Sequence, residues 1–292
     1  MKRVLVTGGC GFIGSYVVEE LHRLDIDVVA FDRYLHHAER NEDVFFGDVR
    51  NQGALAQALY GCDGFIHLAG VLGTQETVQD PTTAAEVNIF GSLNLFKAAR
   101  TYEIPGVYIA VGNHWMNNPY SITKTTAERF AFMANKEWDT HIAVVRALNA
   151  YGPRQKHEPV RKLMPNLIRT ALKGEYFPIY GDGRQIMDMI FVEDLAKILV
   201  KALIMDHKSY DAPFEAGTGV ATTVNQIAEE VYRQVGRREP LLTYEPMRPG
   251  EAEDAVVLGN PDTLRFLDVY ARDLLRLRDG VARTVPWYRE RL

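Results

Sequence analysis

Short apolar, β-branched runs alternate with stretches of helical period through the first half of the chain, the pattern of repeated βαβ units around a parallel sheet. It predicts strands near residues 2–7, 26–31, 44–46, 63–67, 107–111 and 141–146, with helices near 12–23, 51–60, 80–102 and 118–136 between them. The strand runs are apolar almost throughout, which fits strands covered on both faces. After Tyr151-Gly152-Pro153 the period is less regular. Helices are expected over 160–173, 193–205 and 223–235, with a turn at Gly181-Asp182-Gly183 and a helical tail from 260. Residues 1–150 thus read as a doubly wound α/β domain, and residues 151–292 as a smaller mixed α/β lobe closing over the carboxyl ends of its strands.

Composition narrows the classes. The 292 residues, 47% hydrophobic and 24% charged, suffice for one large soluble domain, or a domain plus a lobe, with a substantial core. A net charge of −5 argues against nucleic acid as partner, because phosphate binding normally shows as a basic excess. A small anionic ligand needs only a few placed cations. No apolar run reaches the roughly 18 residues of a membrane span, and the amino terminus enters a strand rather than a signal segment, so no membrane is expected. Cys10 and Cys62 form neither a disulfide framework nor a metal-ligand spacing. They read as free thiols in a reducing cytoplasm, with no metal site.

Two motifs carry chemistry. Gly9-x-Gly11-x-x-Gly14 follows the first strand and opens a helix, the context in which glycines cradle a dinucleotide pyrophosphate on a helix amino terminus. Asp32 ends the second strand, where a carboxylate accepts from ribose hydroxyls and repels a 2′-phosphate. That favours NAD over NADP, although Arg33 lies beside it. Asp48-Val49 follows the third strand, and two readings stay open for Asp48: contact with an adenine amine, or the amino cap of helix 51–60. His67-Leu68-Ala69-Gly70 ends the fourth strand, its small residues suited to backbone pressed on a cofactor and His67 itself suited to a packed polar role.

Tyr120 and Lys124 are the second motif. Four residues apart on a helix they share a face, so the ammonium can stabilise phenolate and pull the phenol below its ordinary value of about 10 toward general-base range. The spacing alone is unspecific; the glycine turn supplies its context.

With both motifs in place, the chain resembles the nucleotide-sugar epimerase/dehydratase branch of the extended short-chain dehydrogenase/reductase family. The resemblance runs nearly end to end, through Thr7-Gly8-Gly9-Cys10-Gly11-Phe12-Ile13-Gly14, Asp48-Val49, His67-Leu68-Ala69, Asp80-Pro81, Asn88-Ile89-Phe90-Gly91-Ser92 and Tyr120/Lys124. It continues in Arg146-Ala147-Leu148-Asn149-Ala150-Tyr151-Gly152-Pro153, Tyr180-Gly181-Asp182-Gly183, Phe191-Val192-Glu193-Asp194, Gly217-Thr218-Gly219, Arg248-Pro249-Gly250-Glu251 and Trp287-Tyr288. It implies a Rossmann-type domain over 1–150 that binds NAD, and a nucleoside-diphosphate-sugar lobe over 151–292. Cofactor contacts are implied at Gly8, Gly11, Phe12, Ile13, Gly14, Asp32, Arg33, Asp48, Val49, Leu68, Ala69, Asn88, Val111, Tyr120 and Lys124. Tyr120 would take a proton from a sugar hydroxyl at C4 while hydride passes to the nicotinamide, whose positive charge would depress the phenol further. Asn149 and Arg248 match substrate-diphosphate contacts, a task that suits a planar, always-charged guanidinium. Relatives dimerise through the two helices here predicted at 80–102 and 118–136, which carry Leu93, Leu95, Phe96, Phe130, Phe132 and Met133, so a homodimer is expected.

The chain also departs from that pattern. The family places a Ser or Thr after the fifth strand to bond the reacting oxygen, but Gly112-Asn113-His114-Trp115-Met116-Asn117-Asn118-Pro119 contains neither and is short. Asn113 and His114 are the candidate replacements, with Thr74 or Thr77 reaching in from the loop after the fourth strand. The same segment has no acid, which argues against the dehydratase route. Glu76 is the nearby acid and reads as a solvated loop residue. Met187 stands where the family usually has an arginine, and Arg184 is the neighbouring candidate for the substrate. The leading expectation is an NAD-dependent epimerase acting at C4. A nucleotide-sugar 4-ketoreductase or dehydratase, and a catalytically weak NAD-binding protein, remain alternatives.

Overall fold

Val4, Leu5 and Val6 are fully buried because helices cover both faces of the strand that carries them. A computed structural model describes residues 1–34, 43–206 and 210–292. The chain opens with β1 (Arg3–Thr7), α1 (Phe12–Arg23), β2 (Asp27–Asp32), β3 (Asp43–Phe46), α2 (Gln52–Leu59) and β4 (Gly64–His67). Two short helices follow, α3 (Glu76–Gln79) and α4 (Pro81–Ala85), then a π-helical turn at Glu86–Gly91 and α5 (Ser92–Tyr102). Next come β5 (Gly106–Val111), α6 (Pro119–Trp138) and β6 (Ile142–Ala147).

The second half contributes β7 (Asn149–Tyr151), α7 (Leu163–Lys173), β8 (Phe177–Tyr180), β9 (Ile186–Met187), β10 (Met189–Phe191), α8 (Val192–Ile204) and β11 (Phe214–Ala216). It ends with β12 (Thr222–Thr223), α9 (Val224–Val235), β13 (Leu242–Glu245), β14 (Val256–Val257), two 3-10 turns (Pro261–Leu267, Ala271–Asp273) and α10 (Leu277–Arg289). No described helix is long and apolar enough to cross a membrane.

Seven parallel strands form the main sheet in the order β11-β6-β5-β4-β1-β2-β3. Side chains alternate across it: Val4, Val6, Ile66, Val107 and Ile109 pack under α1 and α8. Leu5, Phe31, Phe65 and Tyr108 pack under α2, α5 and α6. Each such buried aliphatic side chain contributes about 1.5–3 kcal/mol. The sheet takes its seventh strand and part of the cover of one face from beyond residue 150, so this layer is not confined to residues 1–150. A separate core gathers Tyr151, Leu167, Ile168, Val231, Val281 and Val285 from α7, α9, α10 and their strands. The strand order reverses between β1 and β4, and their carboxyl ends, where Thr7 pairs His67, mark the crevice in which such sheets bind ligands.

Two helices differ from expectation. The helix expected over 80–102 starts where expected, with the Asp80 carboxylate accepting from the Thr83 backbone (3.0 Å) and Pro81 in its first turn, but a π turn at Glu86–Gly91 divides it midway. The π turn then aims Asn88 inward, where it bonds both backbone groups of Val71 (2.8 and 3.1 Å) and the Thr123 hydroxyl (3.0 Å). The tail from 260 is two 3-10 turns before α10, because Asp268 adopts a left-handed conformation (φ 52°) that ends the first. Leu95 and Phe96 are fully buried in the monomer's own core, whereas Phe90 and Ile122 of the same region are exposed.

Candidate active site

The β1–α1 connection is a backbone cradle. Gly8 holds φ at +72°, and a side chain on Gly14 would place its Cβ 2.0 Å from the Gly8 carbonyl oxygen. Only glycine lets the helix start so close to the strand. Gly11 caps α1 without a side chain and the first turn has no acid, so the backbone N–H groups of Phe12, Ile13 and Gly14 face outward at the positive end of the helix. Opposite, Asp32 Oδ2 accepts from Cys10 N (3.1 Å) and Oδ1 from Arg33 N (2.7 Å) and Tyr34 N (3.1 Å). These residues fit a dinucleotide: a tight turn, free N–H groups for a pyrophosphate, and a carboxylate a strand away for a ribose.

Asp48 is not the cap of α2. Asn51 takes that place, accepting from Ala54 N (3.1 Å), while Asp48 pairs with Arg50 (2.7 Å) and Arg33 (3.6 Å). The Arg50 hydrogen bond holds its carboxyl below the usual range. Val49 is buried beside it. Lys156, which drew no attention in the sequence, faces Asp32: burial lowers its pKa and the carboxylate opposes that shift. It arrives on a strap in which Tyr16 Oη donates to Pro153 O (3.2 Å) and Arg154 pairs with Glu19 (2.5 Å).

At the end of β4, His67 is fully buried. Ser92 Oγ donates to Asn88 O (2.6 Å) and therefore accepts from His67 Nε2 (3.0 Å), leaving Nδ1 to accept the Thr7 hydroxyl (2.6 Å). Burial, then the nearby Lys124 ammonium, push its pKa down to about 3, so it is a neutral packed histidine. Leu68 and Ala69 continue from it past the glycine turn, where Ala69 N lies 2.9 Å from a Cβ placed on Gly8.

Tyr120 and Lys124 sit in the first turns of α6, which Asn118 caps by accepting from Ser121 N (2.9 Å) and which Pro119 begins. Tyr120 is half-buried and Lys124 is 3% exposed. The expected depression of the Tyr120 phenol is not what the structure gives. Burial pushes it up to about 12, and burial pushes Lys124 down to about 7, opposed by Glu128. The Lys124 ammonium lies over the ring of Tyr108, 4.3 Å from its centroid.

The segment between β5 and α6 turns on itself after Val111. Asn113 Nδ2 donates to Met116 Sδ (3.5 Å), which leaves its second amide hydrogen free. His114 Nδ1 lies 3.2 Å from Gly112 O and must donate to it, which engages that nitrogen with the backbone. Thr77 and Thr74 are engaged elsewhere. Thr77 donates to Gly73 O (2.7 Å) and accepts from Tyr120 N (3.1 Å); Thr74 donates to Glu251 (2.9 Å).

Across the cleft, Asn149 donates to Asp188 O (3.1 Å). Arg248 pairs with Glu251 (2.5 Å) and stacks over Tyr180 (4.7 Å to the ring centroid). Glu76 is not a solvated loop acid: half-buried, it accepts from Arg161 N (3.3 Å) and faces Lys162, whose pKa burial lowers. Arg184 is not brought to this cluster. Its side chain is 84% exposed beside Asp182 (3.6 Å), on a turn that points it to solvent, while Met187 packs into the lobe core. Lys162 and Tyr108 were missed because one sits in an unremarkable basic stretch and the other inside an apolar strand run.

The profile of the NAD dependent epimerase/dehydratase family matches residues 4–212. A UDP-glucose 4-epimerase of Mycolicibacterium smegmatis is 28% identical, the alignment covering 99% of this chain and 99% of that protein. A dTDP-glucose 4,6-dehydratase of Neisseria meningitidis serogroup B is also 28% identical, over 99% of this chain and 93% of its own. The solved UDP-glucose 4-epimerase of Thermus thermophilus in complex with NAD superposes with a TM-score of 0.88 at 25% identity, covering 99% of this chain and 100% of that one.

Proposed function

This chain belongs to the NAD dependent epimerase/dehydratase family, and on that premise we propose that it is an NAD-dependent epimerase of a nucleoside-diphosphate sugar, working by transient oxidation at C4 with Tyr120 as base. The observation that carries the reading is that Tyr120 and Lys124 share one face of α6, which packs on the sheet that opens with the glycine cradle and whose capping Asn118 bonds Gly250 O (3.0 Å), two residues from Arg248. When bound, NAD supplies the hydride acceptor and donor, and a positive ring whose field favours the Tyr120 phenolate. Tyr120 takes the proton of the sugar hydroxyl as its carbon is oxidised, and returns it when the turned keto-sugar is reduced on its other face. Lys124 supports the phenolate and orients the cofactor ribose. Asn113, with one amide hydrogen free, bonds the reacting oxygen in place of the usual hydroxyl. Arg248 and Asn149 hold the diphosphate.

Two observations favour epimerisation over elimination: no acid stands between Gly112 and Pro119, and Glu76 is tied to Arg161. The division into a cofactor domain over 1–150 and a substrate lobe over 151–292 belongs to the same reading, with α8 and β11 returning to the main sheet. So does a homodimer through α5 and α6, for which light scattering is the measurement. The decisive test is turnover of UDP-glucose and related nucleotide sugars by protein as purified, without added cofactor. Tyr120→Phe should lower kcat by on the order of a hundredfold. Unchanged turnover, or a requirement for added reduced cofactor, would overturn the proposal.

A further inference from the structure

Lys124 poses a physical problem. A buried ammonium ordinarily needs a paired carboxylate, because desolvation of an isolated charge is costly. Among the described residues no carboxylate pairs with it. Glu128, one turn further along α6 and 2% exposed, is gripped by Arg146 through both oxygens (2.6 and 3.0 Å), and Arg146 also reaches Glu215 (3.4 Å). From β4, His67 faces the same space as a neutral ring, both nitrogens bonded to hydroxyls. Tyr120, from the same helix, is a neutral phenol.

What touches the ammonium is Tyr108, from β5. Its ring centroid is 4.3 Å from Lys124 Nζ, and its hydroxyl donates to the Lys124 backbone carbonyl (3.0 Å). The ring is fully buried and fixed by neighbours on two sides, Phe96 edge-on at 5.7 Å and His67 at 5.8 Å. Burial keeps the phenol protonated, holding its pKa well above the ordinary value, so it remains a neutral donor. An aromatic face toward a desolvated cation is attractive through the ring quadrupole.

We propose that Tyr108 is the positioning residue of Lys124: its face replaces the missing counter-ion under the buried ammonium, while its hydroxyl ties the same residue's backbone to the sheet. The inference rests on reading Lys124 as the electrostatic partner of Tyr120. Two contacts to one residue fix both where the ammonium sits and how readily it holds its proton. Glu128 acts at longer range and is shared with Arg146, so the ring is the nearer influence.

The test grades the ring's quadrupole without changing its shape. Phenylalanine, then mono-, di- and trifluorophenylalanine, are placed at position 108 in the NAD-loaded protein, and the Lys124 titration is followed by its 13Cε resonance, assigned with Lys124→Met. Tyr108→Phe should titrate close to wild type. Successive fluorines should lower the midpoint stepwise, by about one pH unit across the series. In parallel, kcat at neutral pH should fall along the series with KM little changed. A midpoint that stays flat across the series would overturn the proposal. Because the titration needs no substrate, that result would leave the proposed reaction standing, whereas absent turnover on nucleotide sugars would strike the reaction and not the ring.

Discussion

At the scale of single residues, protonation states are set by what surrounds each group rather than by its type. Burial raises the Tyr120 phenol to about 12 and lowers Lys124 to about 7, so both shifts favour the neutral forms. A lysine depressed from 10.5 to about 7 on folding has a definite linkage sign. Between those values the unfolded chain holds a proton that the folded protein does not, so stability rises with pH across that window and is lost as pH falls toward 7. His67, depressed from 6.5 to about 3, acts in the same direction at lower pH. The stability advantage of Lys124→Met over wild type, measured by urea unfolding, should therefore shrink as pH rises from 7 to 10. The donors of the 112–118 segment separate equally plainly. Asn113→Ala should lower kcat by about tenfold or more, since it removes a free amide hydrogen next to β5, while His114→Ala should cost little. Steady-state kinetics on the same substrate checks both.

At the scale of elements, the site is made where regular structure stops. The glycine cradle works because α1 begins within contact of β1, and Gly14→Ala must open that approach, since its Cβ would meet the Gly8 oxygen at 2.0 Å. The substitution should cost about 2–3 kcal/mol and release NAD, seen as lower melting temperature and loss of bound nucleotide on purification. The β1, β2 and β5 runs and the helices at 12–23 and 118–136 were legible in the sequence, because period and apolar content are local properties. The helix start expected at residue 80 agrees with the cap at Asp80 and Pro81 in the first turn. The π turn was not: it exists because Asn88 bonds Val71 and Thr123, partners 17 and 35 residues away.

At the scale of the whole molecule, two bridges among several join the sheet to the lobe. One is the strap of Pro153 and Arg154 across α1, the other the cluster in which Glu251 holds Arg248 and accepts from Thr74. The second places a carboxylate on the guanidinium proposed to bind diphosphate. Glu251→Gln should therefore tighten UDP about three- to tenfold by calorimetry, with the gain fading at high salt, whereas Arg248→Met should weaken it. The doubly wound sheet, the glycine turn with Asp32 and the Tyr120/Lys124 pair were legible along the chain, because each depends on neighbours within a turn or a strand. Packing alone turns Arg184 to solvent, ties Glu76 to the lobe, leaves Asn113 a free donor and rests Lys124 on Tyr108. Those are matters of desolvation and of distance between groups far apart in the chain, and no local pattern encodes them.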